Sequence, residues 1–219
     1  MLELPVGEAH HIFEVLRGRV GDQVEVVDGA GRLFVAELRG GGEALVVKEL
    51  EVPDATDAQV VLYQAVPKGG RMDLVVEKAT EVGATSIVPL LTERGVVNPR
   101  EGKVGRWRRV AEAAARQSLR LRVPEVAEPM RFADAISRVG EAGVLLHNAP
   151  ELRPVEAVVG TSASLFVGPE GGWSEGELRV ADEAGVAFGG LGPYRLRSET
   201  AGIVAVARAL VALENRIKR

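Results

Sequence analysis

The sequence predicts an α/β protein in which a small β-rich module precedes a larger domain of alternating strands and helices. Two patterns indicate this organisation. In the first 50 residues, short apolar runs over 24–27 and 33–38 flank the turn sequence Asp28-Gly29-Ala30-Gly31, which is typical of a β-hairpin. From residue 59 onward, short apolar runs alternate with segments whose apolar residues recur at helical spacing. This alternation implies a mostly parallel sheet with helices on both faces.

The N-terminal module is expected to hold one helix and three strands. Apolar residues at Ile12, Phe13 and Leu16 predict a helix over 9–16, and a third strand over 44–50 follows a run of three glycines at 40–42. The segment 51–57 is acidic, contains a proline and is typical of a linker. We therefore expect one domain over residues 1–55 and a second over 59–219.

The larger domain is expected to alternate five strands with four helices. Its third helix has the spacing of a capping box, in which Ser174 caps the helix and Glu177 reaches back to it. The expected strands cover 60–66, 86–91, 143–146, 165–167 and 186–188, and the expected helices cover 72–82, 107–119, 174–184 and 199–217.

Composition excludes several classes of protein and site. The chain of 219 residues has no cysteine, which excludes disulfides, thiolate zinc sites, iron–sulfur clusters and a cysteine nucleophile. It has only three histidines, so we expect no histidine-rich metal site and no bound metal. No apolar run approaches the roughly 18 to 20 residues of a membrane span, and the N-terminus lacks the pattern of a signal peptide. We expect a cytoplasmic protein with no membrane partner.

The net charge of −4 hides a strongly basic segment. Residues 94–131 carry ten basic and four acidic side chains, whereas residues 1–60 carry five basic and twelve acidic ones. Two interpretations remain open for the basic segment: a solvated helix face, or a surface that binds phosphates, for which the planar fork of arginine is well suited. Its basic residues are Arg94, Arg100, Lys103, Arg106, Arg108, Arg109, Arg116, Arg120, Arg122 and Arg131.

Two glycine-rich segments follow apolar strands and precede helices. The first is Leu165-Phe166-Val167-Gly168-Pro169-Glu170-Gly171-Gly172, and the second runs from Phe188 through Leu191-Gly192-Pro193-Tyr194 to Arg195 and Arg197. Ligands of open α/β sheets bind beyond the carboxyl ends of the strands, where both loops are expected. Neither loop has the G-x-G-x-x-G, P-loop or G-x-S-x-G spacing, so a dinucleotide, NTPase or serine-hydrolase site is poorly supported.

Together these two segments resemble the RsmE-type RNA methyltransferases of the SPOUT class. The family motifs are GPEGG-x-[ST]-x-x-E and LG-x-R-[IL]-LR-x-ETA, and the chain has Leu196-Arg197-Ser198-Glu199-Thr200-Ala201 in the second. Further matches are spread over nearly the whole chain in the family's order. They are Lys68 and Arg71 with Lys78-Ala79-Thr80-Glu81-Val82-Gly83, Trp107 with Gln117-Ser118, Arg120 and Pro124, and His11 with Val15-Leu16-Arg17 and Gly21-Asp22.

This resemblance implies a fold and an activity. The family has an N-terminal PUA-like β-barrel that helps to bind RNA and a C-terminal α/β domain tied into a deep trefoil knot, which is rare among proteins. It transfers a methyl group from S-adenosylmethionine to N3 of a uridine in 16S ribosomal RNA. The partner is therefore expected to be small-subunit ribosomal RNA, free or within the assembled 30S subunit, and the enzyme is expected to be a homodimer.

The resemblance also implies site residues. Arg197 is expected to stabilise the anion that forms on the base, and Glu199 to accept its proton or orient Arg197. A helix-dipole role competes for Glu199, and an anchoring role competes with base stacking for Trp173. The expected cofactor-binding residues are Leu146, His147, Gly168, Pro169, Glu170, Gly172, Leu191, Gly192, Leu196 and Thr200. The expected RNA-binding residues are Arg17, Lys68, Arg71, Arg94, Arg106, Arg109 and Arg120.

The final helix is expected to form the dimer contact. Its apolar set is wider than the single stripe of a surface helix, and the small residues Ala201, Gly202, Ala205 and Ala209 would let another helix approach closely. Two alternatives to the leading function stay open: a SPOUT methyltransferase acting on another RNA, such as transfer RNA, and a non-catalytic RNA-binding assembly factor.

Overall fold

A computed structural model describes residues 1–51, 58–99, 102–149 and 151–217, so all but the first residue of the predicted linker lies outside the described residues. The chain divides into two compact units, Met1–Thr56 and Asp57–Arg219. No helix within the described ranges has the length and apolar character needed to cross a membrane.

The N-terminal unit is a curled antiparallel sheet with the strand order β1-β4-β3-β2. The first and last strands of this order do not pair in the described residues, so the expected β-barrel is a half-barrel here. Its strands are β1 (Leu2–Glu3), β2 (Gln23–Val27), β3 (Leu33–Leu38) and β4 (Glu43–Leu50). Side chains alternate along β3 between half-buried and buried, and Ala36 and Leu38 join Leu4 and Ala44 in a small core.

The helix of this unit begins earlier than predicted. α1 (Val6–His10) starts directly after Pro5, whose fixed φ suits a helix start, and one π-helical turn continues it over His11–Val15. Leu16, predicted to be on the apolar face, is exposed. The chain then turns through Arg17, a non-glycine residue with a φ of 57°.

The C-terminal unit is built on a parallel sheet of seven strands. Their order is β11-β9-β10-β5-β6-β7, with β8 also paired to β6. Every strand pair in this sheet is parallel, as predicted. The strands are β5 (Val60–Ala65), β6 (Ser86–Leu91), β7 (Glu125–Val126), β8 (Met130–Arg131), β9 (Gly143–Leu146), β10 (Ala163–Val167) and β11 (Ala187–Gly189).

Helices cover both faces of this sheet. Consecutive residues of β10 pack in different cores. Leu165 packs in the cluster that includes the helices over 72–82, 103–117 and 198–217, and Phe166 in the cluster that includes the helices over 132–139 and 175–183. The helices are α2 (Met72–Val82), α3 (Lys103–Gln117), α4 (Phe132–Val139), α5 (Val155–Val158), α6 (Glu175–Glu183) and α7 (Ser198–Ile217). The short elements β7, β8, α4 and α5 are absent from the prediction, and the trefoil knot stays a prediction.

The small residues of α7 face their own chain, which corrects the sequence interpretation. Gly202, Ala205 and Ala209 are buried against the sheet and the rest of the core rather than offered to another helix. The outward side of α7 is nevertheless apolar: Val211 is 55% exposed, and Ile203 and Val204 are half-buried. The predicted helix over 107–119 also differs, since α3 begins at Lys103 and ends at Gln117.

Candidate functional site

Three neighbouring strands end at one cavity of about 580 Å³. The strands are β11, β9 and β10, which lie side by side in the sheet, so the loops that follow them meet at its carboxyl edge. The structure brings together nine of the ten predicted cofactor-binding residues in the cavity lining: Leu146, His147, Gly168, Pro169, Glu170, Gly172, Leu191, Gly192 and Leu196. Thr200 is the exception, because it is exposed and does not line the cavity.

Two glycines give this lining a backbone surface. Gly172 has a φ of +71° and Gly192 a φ of +118°, a region that L side chains rarely adopt. A Cβ at either position would meet no atom within 4 Å, so the space beside the backbone is open. The cavity can therefore accept a ligand that approaches main-chain groups closely.

The Gly168–Gly172 loop is held from behind by Trp173. Its indole is 5% exposed, and Nε1 donates a hydrogen bond of 3.0 Å to the carbonyl of Leu146, at the end of β9. A Cβ on Gly168 would lie only 3.0 Å from the indole, so the loop packs directly on the ring. Trp173 is therefore an anchor of the loop, and little of its ring is exposed although it also lines the cavity.

The predicted capping box then fixes the helix that follows this loop. Ser174 Oγ accepts from the backbone N–H of Glu177 at 3.0 Å, and Glu177 Oε2 accepts from the N–H of Ser174 at 2.9 Å. Glu177 Oε1 also accepts from the N–H of Glu93, so one buried carboxylate joins the loop after β6 to the start of α6.

Arg71 joins two acids beside the cavity. Its Nη1 lies 3.7 Å from Glu170 Oε1, and its Nε lies 3.5 Å from Glu199 Oε1. Glu170 Oε1 also accepts a hydrogen bond of 3.0 Å from the backbone N–H of Lys68. The loop after β5 is thus tied to the Gly168–Gly172 loop and to the start of α7.

The structure gives Glu199 a partner that the sequence did not predict. Its carboxylate is 6% exposed, does not line the cavity and pairs with Arg71 instead of Arg197. Glu199 Oε2 is buried without a hydrogen-bond partner among the described residues. Arg197, in contrast, lines the cavity with an exposed side chain and has no side-chain hydrogen bond or ion pair within the described part of the chain.

The predicted RNA-binding residues of this unit fall into two groups. Lys68, Arg71 and Arg94 lie at the Gly168–Gly172 loop, where Arg94 Nη1 donates to the carbonyl of Gly171 at 3.2 Å. Arg106 and Arg109 lie on α3. Arg106 donates a hydrogen bond to Asp73 of α2, and Arg109 is exposed.

The structure gives Arg120 hydrogen-bond partners that the sequence did not predict. Its Nη1 donates to the carbonyls of Thr80 and Ala84, at 2.7 and 2.8 Å, where α2 ends. Burial lowers the pKa of its guanidinium. Arg120 therefore stabilises a helix end. Arg17 lies in the N-terminal unit and is exposed.

Sequence reasoning missed a buried polar chain behind the cavity wall. Gln64 Nε2 donates to Ser198 Oγ at 2.9 Å, and Ser198 Oγ donates to the carbonyl of Gly168 at 2.6 Å. This chain connects β5, α7 and the Gly168–Gly172 loop. The available signal was a glutamine within the otherwise apolar strand 60–66.

Tyr194 and Arg195 belong to the second glycine-rich segment of the sequence analysis but were not among the expected site residues. The motif LG-x-R-[IL]-LR-x-ETA has arginine where this chain has Tyr194, and an aliphatic residue where it has Arg195. Both line the cavity, and Arg195 Nη2 donates to the carbonyl of Glu170 at 3.3 Å. In the described ranges, no group of three or more acidic or histidine side chains is placed to hold a metal ion.

Two family models match the chain. The RNA methyltransferase domain matches residues 54–210, and the RNA methyltransferase PUA domain matches residues 4–50. Similar proteins named ribosomal RNA small subunit methyltransferase E occur in Synechocystis and Mycobacterium bovis. The first is 34% identical over 97% of this chain and 73% of its own length, and the second 37% identical over 91% and 82%.

Solved structures agree with this similarity. A ribosomal RNA small subunit methyltransferase E from Neisseria gonorrhoeae, bound to S-adenosylmethionine, superposes with a TM-score of 0.84 at 28% identity, over 96% of this chain and 91% of that one. A Legionella pneumophila methyltransferase with bound S-adenosylmethionine gives 0.83 at 29% identity, with the same coverage. The resemblance seen in the motifs is confirmed: the chain belongs to the RsmE-type RNA methyltransferase family.

Proposed function

We propose that this protein transfers a methyl group from S-adenosylmethionine to N3 of a uridine in 16S ribosomal RNA, in the cytoplasm. The observation that carries the proposal is the cavity at the ends of β9, β10 and β11, which combines a glycine backbone surface with the guanidinium of Arg197, unpartnered among the described residues. The names of the relatives support small-subunit ribosomal RNA as the substrate in preference to transfer RNA.

The lining suits S-adenosylmethionine. That cofactor supplies an electrophilic methyl group on a sulfonium, so the protein contributes mainly placement. The space beside the backbone of Gly172 and Gly192 is open to a ligand, and Leu146, Leu191 and Leu196 provide apolar contacts. Leu146 ends β9, whereas Leu191 and Leu196 both lie between β11 and α7, so these apolar contacts come from two segments of the lining.

Arg197 is the residue we assign to charge stabilisation. Uridine N3 loses its proton to solvent, and the negative charge spreads onto the neighbouring base oxygens. N3 then forms a bond to the methyl carbon while the bond from that carbon to the sulfonium breaks, with its electron pair left on sulfur. A guanidinium at the edge of the cavity is placed to stabilise that charge by donating hydrogen bonds. Because Glu199 is buried against Arg71, we assign it to positioning the start of α7 rather than to proton transfer.

Mass spectrometry tests this function directly. The purified protein is incubated with S-adenosylmethionine and either small-subunit RNA, 30S subunits or transfer RNA, all from a strain that lacks the corresponding enzyme. We expect one 3-methyluridine in the ribosomal substrate and none in transfer RNA. Arg197→Lys keeps the charge but loses the fork, so kcat should fall by about 10²–10³ while the affinity for S-adenosylmethionine changes little. Methylation of transfer RNA alone, or of no RNA, would refute the proposal.

We also propose a homodimer that packs through the outward face of α7. Val211 is more than half exposed in the middle of a 20-residue helix, beside the half-buried Ile203, Val204 and Leu210. An apolar face of this kind is typical of a surface that another protein covers. Sedimentation at micromolar concentration should give a dimer.

A charge on this face tests the contact. Val211→Glu should give monomers, because the carboxylate would lose its hydration in the interface. Val180→Glu is the matched control, since Val180 is an exposed valine on α6. A monomeric wild type, or a Val211→Glu variant that dimerises as strongly as the control, would exclude this contact.

A further inference from the structure

The chain has a single exposed aromatic side chain. All nine of its phenylalanine, tryptophan and tyrosine residues lie within the described ranges, and eight of them are buried or half-buried. The exception is Tyr194, which is 81% exposed and lines the mouth of the cavity. Burial stabilises most aromatic rings in proteins, and a ring exposed to water at the entrance to a cavity lacks this stabilisation.

The loop that carries Tyr194 is held in place on both sides. Pro193 precedes it and fixes one backbone angle, and Arg195 follows it with a hydrogen bond to the carbonyl of Glu170 in the opposite loop. Leu196, next along the chain, also lines the cavity. The ring therefore projects from a segment anchored across the cavity mouth, with Arg197 three residues further on.

We propose that Tyr194 is the platform on which the target base stacks when it enters the cavity, an inference that rests on the proposed function. A base that is to be methylated must leave its own stack, and proteins receive such bases on aromatic rings. Trp173 also lines the cavity, but it has little surface for a base, because it is 5% exposed and its N–H donates to the carbonyl of Leu146. Tyr194 holds the face of the uracil while Arg197 reaches its edge.

A series of substitutions at position 194 tests the platform. Methylation of the small-subunit substrate is measured at saturating S-adenosylmethionine with Tyr194→Phe, Tyr194→Trp, Tyr194→Leu and Tyr194→Ala. Loss of one stacked base corresponds to about 5- to 150-fold in affinity. We expect KM for RNA to rise by this factor in Tyr194→Ala and nearly as much in Tyr194→Leu, which keeps apolar volume but has no ring. Both aromatic variants should stay close to the wild type.

Two further measurements separate this role from others. Calorimetry with S-adenosylmethionine alone should give similar affinities for Tyr194→Ala and the wild type, and sedimentation should give the same oligomeric state. A KM unchanged in Tyr194→Ala, equal activity of the leucine and phenylalanine variants, a parallel loss of cofactor affinity or a change of assembly would each overturn the proposal. Absence of RNA methylation by the wild type would instead refute the proposed function.

Discussion

Gly202→Ala should destabilise the protein, although the same change in most helices is stabilising. Gly202 lies in the second turn of α7, where alanine is favoured over glycine by about 0.5–1 kcal/mol. A Cβ at this position, however, would lie closer than 3.0 Å to Oε1 of Gln64, a side chain that is 0% exposed. The steric term and the propensity term therefore oppose each other at one residue.

The steric term is the larger one. Relief of the overlap requires the Gln64 amide to move away, which breaks its hydrogen bonds to Ser198 Oγ and to the carbonyl of Ala65. Each bond contributes about 1 kcal/mol, and overpacking of a filled core costs about 1–3 kcal/mol. After subtraction of the gain in helix propensity, we expect Gly202→Ala to lower the free energy of unfolding by about 2–4 kcal/mol.

Urea denaturation with a matched control measures this difference. Gly105 lies within α3, and a Cβ there would meet no atom within 4 Å. Gly105→Ala should therefore raise the free energy of unfolding by about 0.5–1 kcal/mol. Gln64→Ala removes the obstructing oxygen, and the double variant Gln64→Ala/Gly202→Ala should be more stable than the sum of its single changes predicts. If Gly202→Ala is as stable as Gly105→Ala, the packing argument is wrong.

Three further predictions concern the cavity, a strained turn and the N-terminal hairpin. Gly192→Val should weaken binding of S-adenosylmethionine by about 10-fold or more in calorimetry, whereas Gly41→Val, which has similar backbone strain at a φ of +78° in the N-terminal unit, should bind it normally. Leu119 is 85% exposed and has a φ of 56°. Leu119→Gly should therefore raise the free energy of unfolding by about 0.5–1 kcal/mol in urea denaturation, and a decrease would contradict the backbone strain. The backbone N–H of Arg32 donates to Asp28 and lowers the pKa of this carboxyl to about 2. Asp28 therefore stabilises the native state above pH 4, and this contribution is lost as the pH falls towards 2. Asp28→Ala should flatten the dependence of the free energy of unfolding on pH over this range, and an unchanged slope would refute the assignment.

The position of the cavity is predictable from the sequence because it depends on local patterns. Each glycine-rich loop follows an apolar strand, and the ends of parallel strands meet at one edge of the sheet. The capping box of Ser174 and Glu177 is confirmed for the same reason, since its hydrogen bonds join residues three positions apart. Helix α4 had a usable signal too: Phe132, Ala135 and Ile136 have helical spacing and are all buried.

Long-range pairings explain what the sequence does not reveal. Arg120 is a basic residue in a basic segment, and nothing near it in the sequence shows that its guanidinium binds carbonyls about 40 positions earlier. The burial and pairing of Glu199 are not predictable for the same reason, because its partner Arg71 lies far away in the sequence. The exposure of Tyr194 could not be predicted either, since an aromatic residue beside an apolar strand is more often buried.

These pairings also explain how an acidic chain can bind RNA. Five basic side chains lie around the Gly168–Gly172 loop, and one of them, Arg71, pairs with both Glu170 and Glu199. The carboxylate of Glu177 beside the loop accepts hydrogen bonds from backbone N–H groups instead. The remaining cations are Lys68, Arg94, Arg195 and Arg197. Phosphate attraction depends on charge within roughly a Debye length, about 8–10 Å, so under the proposed function this local excess of positive charge would attract RNA although the net charge of the whole chain is −4. Arg71 would then contribute in two ways: it connects the loops beside the cavity, and it neutralises acids that would otherwise repel the substrate.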